Sequence, residues 1–99
     1  MSTLHVLSHS PFTDNRLTSC LRVLGASDAL LLSGDAVYAL QPGTAPLSAL
    51  QAHSETLRLF VLDEDVQARG LQVPDWVKSV DYPAFVELSI HYDKVNSWL

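Results

Sequence analysis

Ninety-nine residues with 47% hydrophobic side chains and a net charge of −5 describe one folded domain over residues 1–99, because chains of this size build a single core. The basic residues Arg16, Arg22, Arg58, Arg69, Lys78 and Lys94 are scattered, which argues against direct nucleic-acid binding through clustered cations. Cys20 is the lone cysteine, so an internal disulfide and a cysteine-rich zinc site are excluded.

The N-terminus MSTLHVLSHS lacks the basic start and long apolar core of a secretion signal. No apolar run approaches the ~20 residues of a membrane helix. A soluble, cytoplasmic protein with no membrane partner is the expectation. Only 17% of the residues are charged, a low share that fits either a large core or a subunit partly covered by other chains.

Thr3 to Leu7 reads as the first strand, ended by Ser8-His9-Ser10-Pro11, where proline removes a donor and fixes the turn. Thr13 or Asp14 is positioned to cap a helix running to about Leu24. Leu17, Cys20, Leu21 and Leu24 form its apolar stripe at i, i+3, i+4 and i+7. Gly25 stands at the C′ position that commonly closes a helix.

The stretch Asp28 to Leu40, DALLLSGDAVYAL, organises the rest. Ala29 to Leu32 is a short continuous apolar run, the pattern of a strand buried on both faces of a parallel sheet. Ser33-Gly34-Asp35 then lies at the carboxyl end of that strand, the edge where open α/β sheets place their sites. An amphipathic turn or helix, Ala36 to Leu40, follows.

Gln41 to Pro46 is loop-rich, with two prolines and a glycine that stop regular structure. Leu47 to His53 suits a short helix and Leu57 to Leu62 a third strand. Asp63-Glu64-Asp65 opens a short helix, Arg69 falls in its last turn and Gly70 ends it, an order that matches the helix dipole. Val73 to Val80 is a weaker strand, since Pro74 is tolerable only near its start. Asp81-Tyr82-Pro83 begins the last helix, on which Phe85, Val86, Leu88, Ile90 and Tyr92 make a broad apolar face. Val95 to Leu99 forms a tail. The alternation of strand and helix predicts one α/β layer sandwich with a mainly parallel sheet of four to five strands.

Cys20 is the one candidate nucleophile of the reactive kind. It reads either as a buried small hydrophobe or as a reactive thiol, with Arg16 four residues back. His5, His9, His53 and His91 lack metal-ligand spacing, so no metal site is expected. Ser8-His9-Ser10 reads as a solvated turn without a nucleophile-elbow motif. Asp35, the Asp63-Glu64-Asp65 cluster and Asp81 follow strand ends, where a nucleotide enzyme would hold free N–H groups for phosphate. They read as helix caps. Trp98-Leu99 is either docked on its own sheet or part of an intersubunit contact.

The segments LHVLSHSPFTDNRLTSCLRVLGASDALLLSGDAVYAL and DYPAFVELSIHYDKVNSWL resemble the TusB/DsrH family. The likeness covers nearly the whole chain and is weakest across Gln41 to Glu55. It implies a DsrE-like α/β fold, no cofactor, and assembly with TusC-like and TusD-like sister subunits into a heterohexamer. Such a complex takes persulfide sulfur from TusA and passes it to TusE, for 2-thiolation of the tRNA wobble uridine. In that relay the essential cysteine is carried by the TusD-like subunit. A related branch, DsrEFH, serves sulfur oxidation, and some DsrH-type members carry a cysteine in the first helix, where Cys20 stands. The expectation is a supporting subunit that meets its partners through Asp35, Tyr38, Trp98 and Leu99; the alternatives are direct persulfide carriage by Cys20 and a DsrEFH-type component of sulfur oxidation.

Overall fold

The computed structural model describes residues 2–98. Its elements run β1 (Thr3–Leu7), α1 (Arg16–Val23), β2 (Ala29–Leu32), a 3-10 helix (Gly34–Leu40), α2 (Ala45–Gln51), β3 (Arg58–Leu62), α3 (Asp63–Ala68), β4 (Lys78–Val80), α4 (Tyr82–His91) and β5 (Lys94–Trp98). The strands form one sheet in the order β4-β3-β2-β1-β5, and every neighbouring pair is parallel.

The middle strand is β2, and all four of its residues are fully buried. Burial of Leu30, Leu31 and Leu32 contributes roughly 1.5–3 kcal/mol per side chain. The layers follow from the handedness of the connections. From β1 to β4 the chain steps across the sheet in one direction, so right-handed crossovers put the intervening helices on one face. Leu7, Leu30, Leu32, Leu59 and Val61 pack there against Leu17, Cys20, Val37, Leu40, Leu50 and Val66. The connection from β4 to β5 returns the other way over the whole sheet, which puts α4 on the opposite face. Phe85, Leu88 and Tyr92 pack there on Leu4, Ala29 and Leu31.

The structure departs from the sequence-based expectations at several places. Lys94–Trp98 is a fifth strand rather than a tail, paired along its length with β1 from Thr3↔Lys94 to Leu7↔Trp98. The weak strand expected over Val73 to Val80 shortens to Lys78–Val80, because the chain before it turns, with Val77 N–H donating to Pro74 O. Helix α1 begins at Arg16 behind Asn15. Asp14 sits one residue earlier, accepts the Arg16 N–H at 2.9 Å and pairs with the Arg16 guanidinium.

Gly25 does follow the helix, but without the left-handed conformation found at Gly34, Gly43 and Gly70; its N–H goes instead to Asp28. Arg69 caps α3 from just beyond its last residue. The apolar face expected of α4 is split: Phe85 and Leu88 meet the sheet, while Val86 and Ile90 point to solvent. Leu99 lies outside the described residues.

Candidate functional site

At the carboxyl end of β2 the chain enters a 3-10 helix of seven residues, longer than the three or four such helices usually sustain. Side chains three apart eclipse in this geometry, so Asp35 and Tyr38 stand on one side of it. Arg69 reaches both from the end of α3. Its Nη2 donates to Asp35 Oδ1 at 2.9 Å, and its guanidinium carbon lies 5.6 Å from the Tyr38 ring centroid, within cation–π range. The Asp35 hydrogen bond is the main influence raising the Arg69 pKa. Arg69 Nη1 also donates to Asp65 O at 3.1 Å.

Asp65 reaches back to the same turn, its Oδ2 accepting the Gly34 N–H at 2.7 Å. The strand-end acids therefore serve two purposes. Asp81 is a helix cap that accepts from Ala84 N, whereas Asp35 and Asp65 tie the end of β2 to α3. Asp63 accepts from Gln67 and Ser79, so it too links elements rather than capping.

The structure thus brings together Asp35 and Tyr38, two of the expected contact residues, and adds Arg69, which the sequence presented only as a helix end. Asp35 keeps 59% of its side chain exposed, so this paired charge stands at the surface. The principal clefts lie elsewhere; one of about 580 Å³ is lined by Pro11, Phe12, Leu17, Thr44 and Pro46.

Cys20 and Trp98 belong to other surroundings. Cys20 is fully buried on the inner side of α1. Burial pushes its thiol up to about 12, and the negative charge of Asp28 adds to that rise. A thiol becomes a nucleophile as its thiolate, favoured by exposure and a nearby cation. Here both influences run the other way.

Asp28 anchors the opposite end of β2. It accepts the Gly25 N–H at 2.8 Å and the Thr3 N–H at 2.9 Å, and His5 Nε2 lies 3.4 Å from it. The Gly25 hydrogen bond is the main influence lowering its pKa, burial opposes it, and the bonds from Thr3 and His5 lower it further. Trp98 Nε1 donates to His5 Nδ1 at 3.1 Å, so the tryptophan engages its own sheet. Among the described residues no group of three or more His, Cys, Asp or Glu is placed to hold a metal ion, and no helix is long and apolar enough to cross a membrane.

A parallel five-stranded sheet with its side-chain cluster at the strand ends defines an α/β protein with the architecture of YchN. The YchN protein of E. coli superposes with a TM-score of 0.75 over 99% of this chain and 100% of that one, at 20% identity. MTH1491 of Methanobacterium thermoautotrophicum, described as a protein of unknown function, superposes at 0.62 over 96% of each chain, with 15% identity. Residues 9–95 match the family described as DsrH like protein, and the chain belongs to that family. Relatives named Protein TusB are 39% identical in Erwinia tasmaniensis, 40% in Klebsiella pneumoniae and 33% in Escherichia coli. Each comparison spans 97 residues, 96% of this chain and 99% of the relative.

Proposed function

We propose that this protein is a component of a sulfur relay, acting as the supporting subunit of a sulfurtransferase complex for 2-thiolation of the tRNA wobble uridine. Its family and its similarity to proteins named TusB support the relay. The observation that carries the supporting role is the state of Cys20, buried and held protonated beside an acid. Sulfur would then be carried by the cysteine of a TusD-like partner, with a TusC-like subunit completing the assembly in the cytoplasm. The net charge of −5 fits a subunit that never touches the tRNA.

In this reading the Asp35–Arg69–Tyr38 cluster is a contact with the sister subunits. Co-expression with tagged TusC-like and TusD-like chains is the test, and this chain should co-purify with them. Arg69→Glu should reduce the amount captured while leaving the isolated chain folded, because its ion pair with Asp35 is exposed and such pairs add little to stability. A chain that stays alone with every sister subunit, or a persulfide adduct on Cys20 by mass spectrometry after incubation with a persulfide donor, would overturn the reading.

A further inference from the structure

His5 is only 5% exposed, the buried polar side chain among the described residues. It stands on β1 between the indole of Trp98 on β5 and the carboxylate of Asp28 before β2. The pairings Thr3↔Lys94, His5↔Asn96 and Leu7↔Trp98 put these side chains on one face of the sheet, since alternate residues of neighbouring strands share a face. The indole N–H donates to Nδ1 at 3.1 Å, so the imidazole proton sits on Nε2, 3.4 Å from Asp28 Oδ2. Nδ1 is then the one basic atom of the ring, and it is the atom the tryptophan occupies.

We propose that His5 is an acid-operated latch on the end of β5: a proton bound at Nδ1 displaces the Trp98 indole and frees the last residues of that strand from β1. The two events exclude each other. A proton taken from water onto Nδ1 turns the acceptor into a donor, and two N–H groups then face each other across 3.1 Å with both hydrogens between them. The indole meets the imidazole through its N–H edge, the positive side of its quadrupole. The imidazolium therefore gains no cation–π contact there to replace the lost bond. Asp28, held ionised chiefly by the Gly25 N–H, supplies the counter-charge, so the charged ring stays in place and the tryptophan leaves.

The titratable and charged groups on this face come from three elements. The segment before β2 contributes Asp28, the ion-pair partner of the ring. Strand β5 contributes Lys94, two residues from Asn96 and open to water. Helix α1 contributes Cys20, whose thiol stays protonated, while Arg22 lines a cleft toward α2 with Ala49 and His53. Leu30 of β2 and Leu59 of β3, level with His5 in the register, are apolar. The latch also lies close to the Asp35 turn. Trp98 pairs with Leu7, and Leu7 O accepts the Ser33 N–H at 2.9 Å where that turn begins. The device requires no sister subunit and stands independently of the sulfur-relay reading.

Nitrogen NMR of the full chain from pH about 8 to about 5, above the ordinary carboxylate range, tests it. The His5 ring should pass from the Nε2–H tautomer to the imidazolium. With the same midpoint the Trp98 indole signal should move. The backbone N–H groups shared by β1 and β5 beside Trp98 should lose about tenfold in exchange protection, corrected for the pH dependence of free amides. Trp98→Phe has no N–H to oppose the charged ring, and its β5 protection should stay constant over the range. His5→Asn keeps a carbonyl acceptor near the place of Nδ1 at every pH and should hold its tryptophan throughout. The proposal is overturned by an imidazolium that forms with the indole signal unmoved, or by a ring still neutral at the acid end of the range. A tryptophan that leaves before the ring is charged overturns it too, as does the same acid response in Trp98→Phe or His5→Asn.

Discussion

The indole Nε1 of Trp98 lies 3.1 Å from Nδ1 of His5. An indole N–H only donates, so Nδ1 must present its lone pair. The imidazole proton therefore resides on Nε2, which faces Asp28 at 3.4 Å. Strands β5 and β1 and the loop before β2 are joined by this chain of donors, with a neutral His5 at its centre.

Nitrogen NMR of imidazole-labelled protein at neutral pH should accordingly show His5 as the Nε2–H tautomer. Trp98→Phe removes the donor while keeping most of the ring. It should lower stability by about 1 kcal/mol in urea denaturation, and a loss indistinguishable from zero would mean that the bond contributes nothing.

Asp28→Asn should cost about 1–3 kcal/mol, because an amide is a poorer acceptor for the Gly25 and Thr3 N–H groups. Acid should act through the same group. A carboxylate whose folded pKa is depressed contributes stability that is present above its unfolded value and lost as pH falls through the folded one. Wild type should therefore lose more stability than Asp28→Asn below pH about 4, as read from denaturation midpoints.

Cys20 gives the opposite sign at the alkaline end. Its pKa rises on folding from 9.0 to about 12, so between those values the folded chain holds a proton that the unfolded chain has lost. Stability should fall by about 1.4 kcal/mol per pH unit between pH about 9 and about 12, and Cys20→Ala should lack that component. At neutral pH an aromatic disulfide reagent should modify Cys20 only as fast as the chain opens. Rapid stoichiometric labelling of folded protein would contradict this.

Gly34 has φ +52°, and a Cβ there would approach Ser8 O to 3.2 Å. Gly34→Ala should lose about 1–2 kcal/mol from the left-handed backbone alone, measurable as a lower thermal midpoint. It should also loosen the turn that carries Asp35, so capture by sister subunits should weaken with it.

The legible parts of this chain were those whose side chains are buried on a regular spacing. The run Ala29–Leu32 announced a central strand because both faces of it are covered, and Leu17, Cys20, Leu21 and Leu24 announced α1 by its stripe. Strand β5 left no such trace: Lys94, Val95, Asn96 and Ser97 are all exposed at the sheet edge, and pairing through the backbone writes no hydrophobic pattern. Arg69 went unread for a related reason. Its partner Asp35 is 34 residues away, and a single surface cation carries no periodicity that would point to it. Asp35 and Tyr38 were legible as a pair only through their place after the central strand; their shared side of the helix comes from its 3-10 geometry.

The pairing of β5 with β1 joins Thr3 to Lys94, residues far apart along the chain. Closing so large a loop carries an entropic cost that shorter connections avoid, whereas β1 through β4 meet through nearer neighbours. Strand β5 covers the flank of β1 and becomes the free backbone edge in its place, an edge that carries the exposed polar side chains of Lys94, Asn96 and Ser97.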